Sequence, residues 1–275
     1  MADAGFRDVT ALGAPDPASF EDTVYLPPVR PEASRWCRDL CGRLASRGLP
    51  VLAQLRPGEE PIPEATVIYD LTELALVSDW GKLSLLPRGA AVVWPLIAGL
   101  TDRPEHRRVG LKALAGAGAR VAMGLVPALS SEERRRLSTL GDEGTFDSLF
   151  HGSEPSRLEF ARAAARCGLE PFLPRPPWKQ PGRAGRNREL AASLSVVGEL
   201  LLLLDRPEGH AQAFYSAARR VDTGAQDFQA MAREGNLGIV EWLEPAVRRE
   251  IDHYAAGSEG GLLQELRAEL SAGGA

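Results

Sequence analysis

The chain has little cysteine, few aromatics, no long apolar run and no excess of positive charge, and each shortage removes a class of protein. Three cysteines in 275 residues (Cys37, Cys41 and Cys167) cannot all pair with one another, which argues against an exported disulfide scaffold. No stretch approaches the roughly 20 apolar residues of a membrane-spanning helix. The five leucines Leu200–Leu204 are followed at once by Asp205-Arg206-Pro207. The opening MADAGFRDVT has no basic flank leading into an apolar stretch, so a secretory leader is not expected. The formal net charge of −5 gives no global pull toward nucleic acid or anionic lipid. The four histidines (His106, His151, His210 and His253) are scattered, with no His-x-x-x-His or Cys-x-x-Cys pair. Neither a Gly-x-Gly-x-x-Gly nor a phosphate loop occurs, so no metal and no cofactor are expected. A reducing cytoplasm is the expected location.

What is present is a globular composition, 44% apolar and 25% charged, with one abrupt break. The stretch from Pro174 to Arg188 holds four prolines and two glycines, which oppose regular structure. It also carries five basic residues (Arg175, Lys179, Arg183, Arg186 and Arg188) and no acid. It reads as a basic linker over 174–188, between a domain over 1–173 and another over 189–275. Before it, apolar runs suited to strands occur at Thr23–Leu26, Pro50–Leu55, Thr66–Leu71, Ala91–Ile97, Arg120–Val126, Phe146–Phe150 and Pro171–Leu173. Helix signals lie between several of them. Ser130-Ser-Glu-Glu133 is a capping-box pattern, Asp102-Arg-Pro104 opens a second helix, and Ser153-Glu-Pro155 a third that Gly168 stops. Strands alternating with helices imply a parallel sheet covered by helices. Seven strands in so short a span predict a small or incomplete β/α, TIM-like barrel, since a full barrel takes about 250 residues. A doubly wound open sheet is the competing arrangement.

Beyond the linker the period changes to that of helices. Leu190, Leu194, Val197, Leu201 and Leu204 share one face, as do Leu243, Val247, Ile251 and Tyr254, and Leu262, Leu263, Leu266 and Leu270 mark a last short helix. This predicts an all-helical domain with the leucine run as its core.

In order, GELLLLLDRPEGHAQAFYSAARRV, FQAMAREGNL, EPAVRREIDHY and GSEGGLLQELRAEL resemble the amino-terminal helical domain of bacterial family X DNA polymerases. That resemblance implies a helix-hairpin-helix and a role on gapped or single-stranded DNA in repair. The family's hairpin is glycine-rich, so that bare backbone N–H groups approach a phosphate closely. Here the corresponding stretch, Leu237 to Pro245, has one glycine, two carboxylates (Glu241 and Glu244) and Trp242. Residues 187–275 contain no lysine, and residues 183–275 hold ten arginines against fourteen acids, a net of −4. Candidate contacts with nucleic acid or a partner are therefore Arg219, Arg220, Arg248 and Arg249, joined by Lys179, Arg183 and Arg186 of the linker. A protein partner is expected, with at most weak, non-specific DNA contact and no membrane.

A second, weaker resemblance concerns the first domain. Trp94-Pro-Leu-Ile-Ala-Gly-Leu-Thr-Asp102 looks like a strand and loop of radical S-adenosylmethionine enzymes, and Cys37-Arg-Asp-Leu-Cys41-Gly-Arg-Leu44 like their cysteine motif. A [4Fe–4S] cluster needs three thiolates there, and Leu44 stands in the third place, so no cluster is expected. Barrel enzymes work at the carboxyl ends of the strands. The polar residues predicted there include Gln54, Arg56, Asp70, Glu73, Asp102, His151 and Arg175. Asp70 orienting His151 as a general base, with Arg56 and Arg175 holding an anion, is the enzymatic alternative. The leading expectation is a non-catalytic interaction or DNA-repair-associated module.

Overall fold

The computed structural model describes residues 7–8, 24–26, 39, 41–44, 46, 51–62, 65–172, 182–257 and 261–272. Its contacts divide the chain into two compact units, Met1–Pro176 and Pro177–Ala275.

The first unit is mixed α/β. Six described strands form one sheet: β1 (Arg7–Asp8), β2 (Val24–Leu26), β3 (Val51–Leu55), β4 (Thr66–Asp70), β5 (Ala91–Pro95) and β6 (Val121–Leu125). All pairs are parallel and the order is β1-β2-β3-β4-β5-β6. The order has no reversal, so this is not the doubly wound arrangement, whose strand order turns back on itself. Among the described residues, the sheet continues beyond β6 as a parallel bridge between Val121 and Glu170. The strand expected at Pro171–Leu173 is therefore a single bridging residue earlier, with Leu173 outside the described residues.

Strands buried on both faces need apolar side chains in both registers. β5, AVVWP, is buried along its whole length. One face packs Ala53, Tyr69, Val92, Trp94 and Ala122 against the helices, while Leu52, Ile68, Ala91, Val93 and Val121 form a second cluster on the other. The helices of this unit whose bounds are described include α1 (Thr72–Val77), α2 (Pro104–Gly116), α3 (Ser131–Ser138), α4 (Glu143–Phe150) and α5 (Arg157–Arg166), with a 3₁₀ turn at Trp80–Leu85. α2 starts with proline at its first position, where the missing N–H costs nothing. Gly110 lets that helix seat directly on β5, since a Cβ there would overlap Trp94 and lie 2.8 Å from Trp80. The capping box of α3 is complete, Ser130 and Glu133 each satisfying the other's backbone N–H.

Two expectations are corrected here. Phe146–Phe150 is not a strand but the second half of α4, because Thr145 and Leu149, four apart, both point into the core. The third helix is capped three residues later than expected, by Ser156, whose Oγ accepts from the Glu159 N–H at 3.2 Å. Cys41 and Leu44 sit on helical backbone at 0% exposure within the main core. Cys37 lies outside the described residues.

The second unit is all-helical among its described residues: α6 (Arg183–Leu203), α7 (Glu208–Thr223), α8 (Phe228–Arg233), a 3₁₀ turn (Asn236–Ile239), α9 (Pro245–Ala256) and α10 (Leu262–Ala272). Leu190, Leu194, Val197, Leu201 and Leu204 are buried, so the leucine run is core, while Leu202 faces out. α6 begins at Arg183, so Arg183, Arg186 and Arg188 are helical rather than part of a linker reaching residue 188. No helix among the described residues is long and apolar enough to cross a membrane.

Candidate functional site

In the sheet unit the carboxyl ends of β3 to β6 gather most of the polar residues singled out by sequence, and nearly every one is held by a neighbour. Asp70 ends β4. Its Oδ1 accepts from the Thr72 N–H at 2.8 Å and from the Thr72 hydroxyl at 2.6 Å. Its Oδ2 accepts from Gln54 Nε2 at 3.0 Å, from the end of β3. Both carboxylate oxygens are thus engaged in starting α1 and tying two strand ends together. Arg56 pairs with Glu73 at 3.2 Å, both largely exposed. His151 is not at a strand end. It follows the last turn of α4, exposed, with its ring 6.5 Å from those of Phe146 and Phe150. Among the described residues no hydrogen bond joins Asp70 to His151. Arg175 lies outside them.

The loop after β5 is fixed by groups that no spacing rule connects. The fully buried Thr101 hydroxyl accepts from the Ile97 N–H at 2.9 Å and donates to the Pro95 carbonyl. Asp102 caps the loop by accepting from the Gly99 N–H at 2.7 Å, instead of opening α2. Gly99 is at φ +69 with Ser148 so close that a side chain there would collide. Arg103 reaches Asp142 at 2.8 Å and Thr145 at 3.1 Å, which pins α4 across the loop. The hydrogen bond from Arg103, helped by Thr145, holds the Asp142 carboxyl below the usual range. Arg107, almost fully buried in α2, pairs with Glu159 of α5 at 3.1 Å. Each described arginine of this rim (Arg56, Arg103 and Arg107) therefore has a carboxylate partner from another segment.

Beneath the rim, Trp80 and Trp94 stack at 5.2 Å between centroids, and His106 meets both edge-on at 5.2 and 5.7 Å. His106 Nδ1 lies 3.3 Å from the Ser78 hydroxyl and its Nε2 is buried with no partner. Burial, with Arg103 adding in the same direction, lowers the pKa of His106 against an opposing backbone contact to Ala75. Burial raises that of Tyr69, whose hydroxyl is likewise unpartnered. No group of His, Cys, Asp and Glu suited to a metal occurs among the described residues.

In the helical unit the turn Leu237 to Pro245 is where the polymerase resemblance would place a phosphate-gripping hairpin. Trp242 fills it. Its ring meets Phe228 edge-on at 5.7 Å, and the Arg220 guanidinium lies over it at 5.2 Å. Arg248 donates to the Leu243 carbonyl at 3.3 Å. The structure thus brings Arg220 and Arg248 to one turn, with both guanidinium groups directed onto it. Glu241 and Glu244 are exposed there, and so is Ile239, at 73%. Arg219 and Arg249 are exposed. Arg183 donates to the Ala225 carbonyl, and Arg186 grips Asp227, which holds that carboxyl down while raising the guanidinium. Between them Asn187, fully buried, donates to the Gln226 carbonyl at 2.7 Å and accepts from the Phe228 N–H at 3.3 Å. These contacts stitch the start of α6 to the α7–α8 connection. Lys179 lies outside the described residues.

No family model, no curated protein and no solved structure matches this chain.

Proposed function

We propose that this chain is a non-catalytic, cytoplasmic interaction protein. In this reading the sheet unit is an incomplete, singly wound β/α barrel that serves as a scaffold. The helical unit is a helix-hairpin-helix relative turned from gripping phosphate to docking a protein partner. The sequential, all-parallel strand order supports the barrel, because barrels add strands in chain order. The observation that carries the docking reading is the turn at Trp242. A phosphate grip needs small residues and free N–H groups, and this turn offers an indole capped by Arg220 beside two exposed carboxylates. Neutralising several phosphates supplies most non-specific DNA affinity, and the arginines nearest the turn are directed onto the protein itself. The paired rim of the sheet unit likewise supports a scaffold over an anion-binding enzyme. Its one carboxylate proposed for catalysis, Asp70, is engaged on both oxygens.

A fluorescence anisotropy titration of the full chain with short gapped DNA tests the reading at two salt concentrations. Binding no tighter than about 10 μM at physiological salt is expected, within the usual non-specific range. Sub-micromolar binding that Arg219→Ala or Arg249→Ala weakens would mean that the DNA role survives.

A further inference from the structure

The excursion between β6 and α5 offers an interaction surface independent of the helical unit. α3 buries none of its residues. Among the described side chains of α4, Thr145 and Leu149 are buried, and Arg134 of α3 donates to the Leu149 carbonyl. Next to that anchored face, four residues apart, Phe146 and Phe150 stack at 4.5 Å with their planes 26° apart. Phe146 is 45% exposed, and Leu140, in the turn before α4, is 60% exposed. Phe150 is half-buried, and neither ring joins the main core cluster, so Phe146 leaves an aromatic face open to solvent.

The surroundings indicate what such a pair suits. Residues 141–156 carry four acids (Asp142, Glu143, Asp147 and Glu154) and no lysine or arginine, the next cation in the chain being the exposed Arg157. Asp142 is spoken for by Arg103. Asp147, adjacent to Phe146 in the chain, and Glu154 are exposed, with no cation partner among the described residues. Arg134 of α3 is turned to carbonyls, Arg136 pairs with Glu132, and among the described residues no ion pair joins Arg135 to these acids. A phosphate backbone or an anionic membrane would be repelled by these acids. A guanidinium suits the face on both counts, since its plane stacks on an aromatic face while its N–H fork meets a carboxylate. The same stacking occurs within this molecule where Arg220 covers Trp242.

We propose that the Phe146–Phe150 face of α4, with Asp147 on the same helix and Glu154 following in the chain, docks an arginine-bearing, otherwise apolar segment of a partner protein. The surface lies wholly in the sheet unit, so its fate is separate from that of the turn at Trp242.

The test uses the full chain and a fluorescein-labelled synthetic peptide of repeated Arg-Pro-Leu triplets, with a twin carrying glutamate for arginine. The arginine peptide binds and the glutamate twin does not. Phe146→Ala and Asp147→Lys each weaken binding by about tenfold or more, as truncation of a central contact does, whereas Gln212→Ala, an exposed substitution in the helical unit, leaves it unchanged. Asp147→Lys changes only an exposed side chain, so its result does not depend on whether Phe146→Ala perturbs the fold. Absence of peptide binding, or equal binding by wild type and both variants, overturns the proposal. So does a concentration-dependent dimer that Phe146→Ala abolishes, because the occupant would then be a second copy of this chain.

Discussion

The Arg220 guanidinium lies over the indole of Trp242, 5.2 Å from its centroid, on the turn where the resemblance to polymerase domains calls for glycine. Phe228 meets the ring edge-on at 5.7 Å, so the indole is held from two sides. Trp242 should therefore matter for stability first. Trp242→Ala is expected to cost about 2–4 kcal/mol, at or just below the range for large aromatic truncations, because the ring is only partly buried. Arg220→Ala should cost about 1 kcal/mol or less, the usual size of a surface cation–π contact. Urea unfolding of the full chain followed by circular dichroism measures both. A neutral Trp242→Ala would show that the turn is not built around the ring.

Asp70 and His151 should separate cleanly when mutated one at a time. Asp70→Ala removes three hydrogen bonds at the junction of β4 and α1, and a cost of about 1–3 kcal/mol follows from leaving those donors unsatisfied. His151→Ala, at an exposed helix end, should stay within about 0.5 kcal/mol of wild type. Denaturant midpoints settle the comparison. A stable Asp70→Ala variant would free that carboxylate for a role other than local capping.

Stability should also fall on mild acidification through His106. Its folded pKa lies below the ordinary value, so the unfolded chain takes up the proton first as pH drops. The native state keeps full stability above about pH 6.5, the unperturbed histidine value, and loses it as pH falls toward the folded pKa. Depressed carboxylates such as Asp142 and Asp227 also lose stability in acid, but nearer to pH 4, where free carboxyls titrate. Comparing unfolding midpoints at pH 7.5 and 5.5 for wild type and His106→Phe isolates the histidine. Parallel losses in the two proteins would mean that His106 is as readily protonated folded as unfolded.

Local signals in this sequence were legible where one short window decides the structure. The capping box at Ser130 and Glu133, Pro104 at the start of α2, and the buried run of β5 all read directly. So did the helical face from Leu190 to Leu204. Phe146–Phe150 failed because a run as short as FDSLF fits either period. Its pairing of Phe146 with Phe150 becomes a helix signal only beside the buried Thr145 and Leu149. The rim was opaque for a different reason. Arg103 with Asp142 and Arg107 with Glu159 join residues 39 and 52 positions apart, and no spacing rule reaches that far. Gln54 and Asp70 were visible as polar groups at strand ends, while Thr72 was not singled out. That they satisfy one another, and so are unavailable for chemistry, is a fact of packing.

Glu250 supports the most specific prediction about the helical unit. It is 5% exposed in α9, and its carboxylate accepts from the N–H groups of Leu262 at 2.7 Å and Leu263 at 3.3 Å. Those are first-turn donors of α10, which no residue of that helix can satisfy. A carboxylate at that end also meets the positive pole of the helix. Gly261 makes room for it, since a Cβ there would lie 2.8 Å from the Glu250 Oε2. At its far side α10 is held by Arg206, which grips both oxygens of Glu269 at 2.7 and 2.6 Å on the surface. Glu250→Ala removes the cap and leaves two part-buried donors unpaired, at an expected cost of about 1–3 kcal/mol. Glu250→Gln keeps one acceptor and should cost less. Arg206→Ala, which breaks only an exposed pair, should cost about 1 kcal/mol at most. Hydrogen exchange resolved over residues 262–272 reads the effect where it arises. Faster exchange there in Glu250→Ala than in Arg206→Ala is expected, and equal protection in both would show that packing of Leu266 and Leu270 holds α10 without the cap.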